Sequence, residues 1–513
     1  MNYKLLGKIL GKILIAEGVI MIAPLITAII YSEPIMNVVA FAVPIALLVL
    51  IGSLSQLLRP ARQSLYQKEG FALVAAVWLI MALFGAIPFV INGDIPNYID
   101  ALFEIASGFT TTGASIIEDI SVMSHSTLMW RSLSHWIGGM GILAFVLIFI
   151  PESNDGSAMH LLRAESPGPQ VGKIVSKMKV TTGILYLIYF GLTVLEVGIL
   201  MLDKPVPGYE SEQLFFSILT TFGCAGTGGF GFVPGSMELM NPFTQYAMSI
   251  FLFLFGCNFS LYYLLLIGKV AVVIRSEEFR TYIAVILASV GLIFFSLYSG
   301  IWSVPQDYTA EEAFRHTLFQ VASIMTTAGF STTDFNMWPS LAKSVLMILM
   351  FTGAMAGSTA GGIKLSRIVI AAKGAYTNVR KLINPRYVPK SKFEGKTLEE
   401  KTTNDVFAFI TLYLAILLVG TLVLSFDPVN GTVFTTVSDA GEYTVTHGLM
   451  TNLSASLVCI SNVGPGFEAV GPYMSFAAYS WFSKIVLVLQ MLIGRLEILP
   501  VMILFSPKTW RKV

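Results

Sequence analysis

Ala101-Leu-Phe-Glu-Ile-Ala-Ser-Gly-Phe-Thr-Thr-Thr-Gly113 is too apolar for a surface loop and too short to cross a bilayer. Apolar runs of about 10–14 residues suit re-entrant segments better than spans. The same pattern returns three times: Leu214-Phe-Phe-Ser-Ile-Leu-Thr-Thr-Phe-Gly-Cys-Ala-Gly226, the stretch from Ala313 to Met325-Thr-Thr-Ala-Gly329, and Gly448 to Ile460-Ser-Asn-Val-Gly464. With the final glycine as anchor, Phe103, Phe216, Phe319 and Ser454 lie ten residues upstream. Ser107, Thr220, Ser323 and Val458 lie six upstream. A period near one hundred residues is too long for a solenoid. It fits a unit of span, half-helix, glycine loop and span, present four times, with the fourth copy the most divergent.

Working outward, the surroundings are membrane sequence. Of 513 residues, 55% are hydrophobic and 12% charged, and the mean hydropathy is +0.74. Soluble domains carry about 25% charge. A span needs about 20 apolar residues, and ten stretches qualify, near 13–31, 38–57, 71–91, 130–150, 180–202, 243–268, 279–302, 342–372, 404–425 and 477–506. The first is followed at once by a second span and lacks a small-residue cleavage site before Tyr31-Ser-Glu-Pro34, so it reads as retained. The net charge of +1 leaves no basic surface for nucleic acid. Cys224, Cys257 and Cys459 are too few and too scattered for a disulfide framework or a zinc site.

Basic residues collect on inward loops. With the N-terminus in the cytoplasm, outward connections hold only Arg131, Lys204, Arg315, Lys343 and Lys484 of the 32. The largest inward loop alone carries Lys373, Arg380, Lys381, Arg386, Lys390, Lys392, Lys396 and Lys401. Both termini are therefore expected on the cytoplasmic side. The expected organisation is two leading transmembrane helices (1–69) and four repeats, 70–172, 173–276, 277–395 and 396–513. The fold class is an all-α polytopic membrane protein, its four span–pore-helix–span repeats set around a pseudo-fourfold pore.

Backbone that leaves helical geometry at membrane depth must be buried in protein or line a watery cavity. Four such loops around one axis can converge their carbonyl oxygens, and carbonyl rings replace the hydration shell of a monovalent cation. Glycine allows the backbone to turn that way. The partly negative C-terminal ends of the half-helices favour a cation as well. A lone Thr-Thr-Thr-Gly carries no such meaning, since single glycines near span ends serve helix packing. Four at matching places do.

Gly108-Phe-Thr-Thr-Thr-Gly-Ala-Ser115, Ala225-Gly-Thr-Gly-Gly-Phe230, Met325-Thr-Thr-Ala-Gly-Phe-Ser-Thr332 and Ser461-Asn-Val-Gly-Pro-Gly466 resemble the Trk/Ktr/HKT superfamily of potassium transporters, closest to the bacterial TrkH type. The likeness covers essentially the whole chain, and the two leading spans distinguish it from the shorter KtrB type. It implies one selectivity-filter glycine per loop: Gly113, Gly226, Gly329 and Gly464. It also implies potassium ligands at Thr111, Thr112, Cys224, Ala225, Thr327, Ala328, Asn462 and Val463, with potassium as the transported ion and no bound cofactor. Cys224 stands where two other loops have threonine, which matters little for a carbonyl ligand. The resemblance further implies a homodimer in the bacterial inner membrane, in contact with lipid, and a cytosolic nucleotide-binding regulator of the TrkA type. The loop from Lys373 to Lys401, with Lys508, Arg511 and Lys512, offers that regulator a docking surface, although topology accounts for most of these charges.

The third repeat's second span is interrupted by Thr352-Gly-Ala-Met-Ala-Gly-Ser-Thr-Ala-Gly-Gly-Ile-Lys364. Glycine, serine and threonine weaken a helix, so a break is expected. Gly353-x-x-x-Gly357 and Gly357-x-x-x-Gly361 equally fit a small-residue packing face. The stretch, with Gly362, resembles the intramembrane loop that gates the family's pore. Arg495, in Met491-Leu-Ile-Gly-Arg-Leu-Glu-Ile498, is a costly intramembrane charge and a functional candidate. Glu497 is two residues away and points elsewhere on the helix. An interfacial, snorkelling arginine is the alternative to a positive obstacle in the ion path.

His125 and His135, flanking the start of the fourth span, suit helix-end or capping roles better than proton relay, and Asp334 suits either an outer cation site or a loop cap. Asp94, Asp100, Glu104, Glu118, Asp119, Glu210, Glu212, Glu311, Glu312, Asp439 and Glu442 suggest an acidic vestibule. An intramembrane enzyme would need a clustered nucleophile and base or a His-Glu-x-x-His, and neither occurs. A carrier for an organic solute would need inverted repeats, whereas these four run in one direction. Sodium- or proton-coupled potassium symport stays open at this level.

Overall fold

The computed structural model describes residues 1–60, 67–141, 178–302, 308–384, 392–438, 441–496 and 498. Two leading helical stretches come first, α1 (Tyr3–Ile20) continuing through α2 (Ile22–Ile30), then α3 (Ile35–Ser55). The first repeat has α4 (Gln67–Gly85), α5 (Ile87–Asn92), the half-helix α6 (Tyr98–Phe109) and α7 (His125–Gly139). The second has α8 (Met178–Leu200), half-helix α9 (Gln213–Gly226), α10 (Pro242–Phe255), α11 (Phe259–Leu266) and the short α12 (Val270–Arg275). In the third, α13 (Glu277–Tyr298) leads to half-helix α14 (Ala310–Met325), α15 (Ser340–Phe351) and α16 (Leu365–Ile383). The fourth has α17 (Glu400–Leu424), half-helix α18 (Leu449–Ser461) and α19 (Trp481–Leu496).

Among the described residues six helical stretches are long and apolar enough to span: Tyr3–Ile30, Ile35–Gln56, Glu69–Asn92, Val180–Leu200, Glu277–Tyr298 and Glu400–Leu424. These are the leading pair and the first span of every repeat. The second spans differ. The span expected at 130–150 holds α7, which ends at Gly139, and the one expected at 477–506 holds α19 as far as Leu496; residues 142–150, 497 and 499–506 lie outside the described residues. The stretch expected as one span over 243–268 is bent by 91° between α10 and α11. A side chain at Gly256 would sit 2.3 Å from the Tyr282 hydroxyl and 2.6 Å from Thr326 Cγ2. Asn258 then restarts the helix by accepting the Ser260 N–H at 2.9 Å.

The break expected over 352–364 is present. α15 ends at Phe351, and β1 (Thr352–Gly353) pairs in parallel with β2 (Ile363–Lys364) before α16 starts. Two hairpins absent from the sequence reading join the helices. One is β3 (Lys392–Phe393) with β4 (Lys396–Thr397), and the other is β5 (Val433–Ser438) with β6 (Gly441–Thr446). Aromatic side chains such as Trp78, Phe103, Phe109, Trp130, Tyr189 and Phe319 are fully buried among the helices around the four half-helices. Close packing of this kind holds membrane helices where no water drives them together.

Candidate functional site

All four half-helices end the same way. Thr112 N–H reaches back to the Ser107 carbonyl, Gly228 to Gly223, Ala328 to Ser323 and Val463 to Val458, at 2.8–2.9 Å. This six-to-one hydrogen bond closes a helix through a left-handed residue. That residue is Thr111, Thr227, Thr327 or Asn462, with φ between 54° and 58°. Two positions on, φ is positive again at Gly113, Gly229, Gly329 and Gly464.

These equivalences correct the second loop. Cys224, Ala225 and Gly226 belong to α9, and the residues matching Thr111-Thr-Gly113 are Thr227, Gly228 and Gly229. Gly226 is a packing position instead: a Cβ there would lie 2.3 Å from the His135 carbonyl oxygen of α7. The pair Gly229-Phe230, like Gly329-Phe330, was a visible signal for the proper register. Anchoring on Ala-Gly226 missed it.

Backbone packing joins the loops in a closed ring. A Cβ on Gly113 would meet the Gly228 carbonyl oxygen at 2.0 Å, and one on Gly229 the Ala328 oxygen at 1.9 Å. On Gly329 it would meet the Val463 oxygen at 2.1 Å, and on Gly464 the Thr112 oxygen at 2.8 Å. Each glycine thus lies against a carbonyl of the next repeat, in the order one, two, three, four, one. A side chain fits at none of them, and the positive φ disfavours one as well. Asn462 adds a side-chain tie, donating to Thr112 Oγ1 at 2.9 Å and to the Met491 carbonyl at 3.0 Å.

Behind the ring, a buried ion pair braces two loops. Glu104 on α6 pairs with Arg131 on α7 at 2.7 Å, and both are nearly inaccessible. The Glu104 carboxylate also accepts the Ser115 hydroxyl at 3.0 Å and the Ile116 N–H at 3.0 Å, just past Gly113. Arg131 donates to the Gly231 carbonyl at 3.4 Å and covers the Phe230 ring at 4.1 Å, just past Gly229. His135 is no helix-end residue: its Nδ1 lies 2.8 Å from the Gly108 carbonyl, and its Nε2 accepts the Phe230 N–H at 3.3 Å. His125 does start α7, stacked on Tyr31 at 4.0 Å and 3.2 Å from Glu212.

The acidic vestibule is corrected too. A cavity of about 540 Å³ opens over the ring, and among the described residues Glu118 is the one carboxylate along its wall, with Arg131. Lys484 holds Asp100 at 2.6 Å, Arg315 holds Glu311 at 2.9 Å, and Glu312 closes a capping box with Thr309. Asp94 accepts from Ser124 and Thr127. Asp334 is a loop cap, accepting the Asn336 N–H at 3.0 Å and the Tyr443 hydroxyl. Burial, then the Asp334 carboxylate, pushes the Tyr443 phenol above its ordinary range. Asp439 and Glu497 lie outside the described residues.

On the other side of the half-helix ends is the 352–364 loop. Gly361 donates to Thr327 Oγ1 at 2.7 Å, and a Cβ on Gly361 would lie 2.5 Å from the Ser461 carbonyl. Gly353 packs on Gly361, whose carbonyl would be 2.0 Å from an added Cβ, and Gly362 lies against Gly353. Gly357 stands apart, beside Asn258 of the second repeat. Arg495 faces inward, as one of its two expected positions requires. It donates to the Thr359 carbonyl of the loop at 2.8 Å, and to the carbonyls of Gly138 and, at 2.8 Å, Gly139 at the end of α7. Three repeats meet at this guanidinium.

Comparison with known proteins agrees with this architecture. The TrkH family model, described as a cation transport protein, matches residues 37–512. The chain is 31% identical over its whole length, and the relatives' whole length, to the Trk system potassium uptake protein TrkH of Salmonella typhimurium and to that of Escherichia coli K12. The E. coli Trk system potassium uptake protein TrkG is 28% identical over 96% of this chain and 95% of its own. The crystal structure of the potassium transporter TrkH from Vibrio parahaemolyticus superposes with a TM-score of 0.83 at 28% identity, covering both chains fully. The four-repeat membrane fold and the match over almost its entire length make this chain a member of the TrkH family, a family of membrane cation transport proteins rather than of enzymes.

Proposed function

We propose that this chain takes up potassium across the bacterial inner membrane, with both termini in the cytoplasm. Its selectivity filter consists of Thr111, Thr112 and Gly113, Thr227, Gly228 and Gly229, Thr327, Ala328 and Gly329, and Asn462, Val463 and Gly464. The observation that carries this is the closed ring, in which four left-handed helix caps are followed by four glycines, each lying against a carbonyl of the next repeat in cyclic order. Such oxygens can take the place of water around a monovalent cation. The relatives' names, all potassium uptake proteins of Trk systems, support the choice of ion.

The 352–364 loop is the gate and Arg495 its positive bolt. The loop rests on Thr327, Ser461 and Asn462 of two filter loops, and the guanidinium ties it to α7, so the loop must move before an ion passes. The chain works as a homodimer in lipid, with a cytosolic nucleotide-binding regulator of the TrkA type on its basic inner face.

Reconstitution in liposomes tests the function. Potassium efflux should exceed sodium efflux by about tenfold or more. It should also be indifferent to an imposed proton or sodium gradient. Equal potassium and sodium fluxes would refute the filter, and dependence on the second gradient would make the chain a symporter.

A further inference from the structure

Glu278 is the second residue of α13, where the third repeat begins, and only 3% of it is exposed. One of its oxygens, Oε1, accepts the Ala356 N–H at 2.8 Å and the Ser366 N–H at 3.2 Å. These two donors lie on opposite limbs of the 352–364 loop, one before its reversal and one in the first turn of α16. A carboxylate at the start of α16 also suits the partly positive end of that helix. A single buried carboxyl oxygen therefore holds both limbs by their donors. Arg495, from the fourth repeat, holds the same loop by an acceptor, the Thr359 carbonyl.

Glu278 is in turn held from the inner surface. Its own N–H donates to Glu394 Oε1 at 2.9 Å, and the same oxygen accepts the Ser276 hydroxyl at 2.9 Å. Glu394 sits at the turn of the β3–β4 hairpin, with φ +49°. That hairpin grips α16 as well. Phe393 is buried with Ile370 of α16 and Val406 of α17, and Lys373 of α16 donates to the Lys392 carbonyl at 2.6 Å and pairs with Glu277. The hairpin thus joins the helix that leaves the loop to the first turn of α13, which carries Glu278.

We propose that Glu278 is a positioning residue that latches the intramembrane loop shut, and that the Lys392–Thr397 hairpin, through Glu394, is the handle by which movement at the inner surface releases it. The latch presupposes the gating role of the loop proposed above. Pulling the hairpin away shifts Glu394, then the first turn of α13, then the carboxylate, and both loop limbs lose their acceptor together. Two discrete arrangements of a packed element are what such a switch requires.

The test uses the full chain in liposomes, reading resting potassium flux and the potassium-to-sodium flux ratio. Glu278→Ala is expected to raise resting flux about tenfold, the scale of a lost charge-assisted hydrogen bond, without changing the ratio. Glu278→Gln keeps an acceptor oxygen and is expected to restore most of the closure. Glu394→Ala is expected to raise flux about threefold, since the carboxylate of Glu278 itself remains. If Arg495→Ala opens the pore while Glu278→Ala leaves the flux at its parent level, the latch is wrong and the loop gate stands. If neither variant moves the flux, the gate fails and the latch with it. A glutamine variant as leaky as alanine, or a collapsed flux ratio in Glu278→Ala, also overturns the latch. Should Glu278→Ala not fold, Ser358→Cys in the parent and in Glu394→Ala reads the same motion. Faster modification by a thiol reagent in the Glu394→Ala background supports the handle, and equal rates overturn it.

Discussion

The ring of four loops and the loop beneath it are both irregular backbone at membrane depth, yet only the second is tethered directly by buried charged side chains. In the ring, the closest contacts set glycine on carbonyl, repeat after repeat, with the Asn462 side chain tied to Thr112 beside them. In the intramembrane loop, backbone contacts at Gly353 and Gly361 are joined by charged side chains from other helices: the Arg495 guanidinium on an acceptor and the Glu278 carboxylate on two donors. Backbone-on-backbone packing has one arrangement and little slack, because interiors are close-packed. Side-chain tethers can be released one by one without disturbing the helices that carry them. The difference separates the part that has to keep its shape from the part that has to change it.

Five substitutions would break or sharpen that contrast. The largest effect is expected from Arg131→Ala, which leaves the Glu104 carboxylate buried and unpaired behind the ring. Breaking a buried pair from one side costs about 3–5 kcal/mol. The thermal midpoint in detergent should fall accordingly, and the double variant with Glu104→Ala should recover part of the loss. A midpoint unmoved by Arg131→Ala would mean the ring needs no brace.

Next comes Gly229→Ala, where a methyl would sit 1.9 Å from the Ala328 carbonyl oxygen on a backbone of φ +79°. The potassium-to-sodium flux ratio should drop by about tenfold or more. Gly113→Ser should do the same from the first loop. Gly226→Ala, inside α9 and against His135, should instead lower stability while the surviving protein keeps its selectivity. A reversed outcome for the two glycines would restore Gly226 to the filter and undo the register described here. The smallest effect on structure, and a gain rather than a loss of flux, is expected from Arg495→Ala. Resting potassium flux should rise about tenfold with the ratio intact. Unchanged flux would show that the arginine only ties helices together.

Much of this was legible along the chain. The half-helices, their four-fold recurrence and the break at 352–364 follow from run lengths and glycine placement, which depend on local chemistry alone. The inward direction of Arg495 was one of two choices, and only its three carbonyl partners on two other repeats select it. Acidic residues counted on the outer loops misled in the other direction. Asp100, Glu104, Glu311 and Asp334 are each committed to a cation, a cap or a hydroxyl from elsewhere in the chain, and a sum of charges does not see partners.

By itself, then, the sequence determined that this is a membrane chain of four like repeats with re-entrant glycine loops, because hydropathy and repetition are properties of consecutive residues. It could not determine which glycine of Gly223-Cys-Ala-Gly-Thr-Gly-Gly229 belongs to the ring. Four of those seven positions are glycine, and each permits the backbone to turn. Only tertiary structure decided the point. α9 runs on to Gly226 because α7 packs against that glycine, so the left-handed cap falls at Thr227 and the next glycine in phase is Gly229. The need for glycine at 256, beside the bend, and the grip of Glu278 on the loop were decided in the same way. Each depends on an atom contributed by another part of the chain: the Tyr282 hydroxyl in one case, the N–H groups of Ala356 and Ser366 in the other.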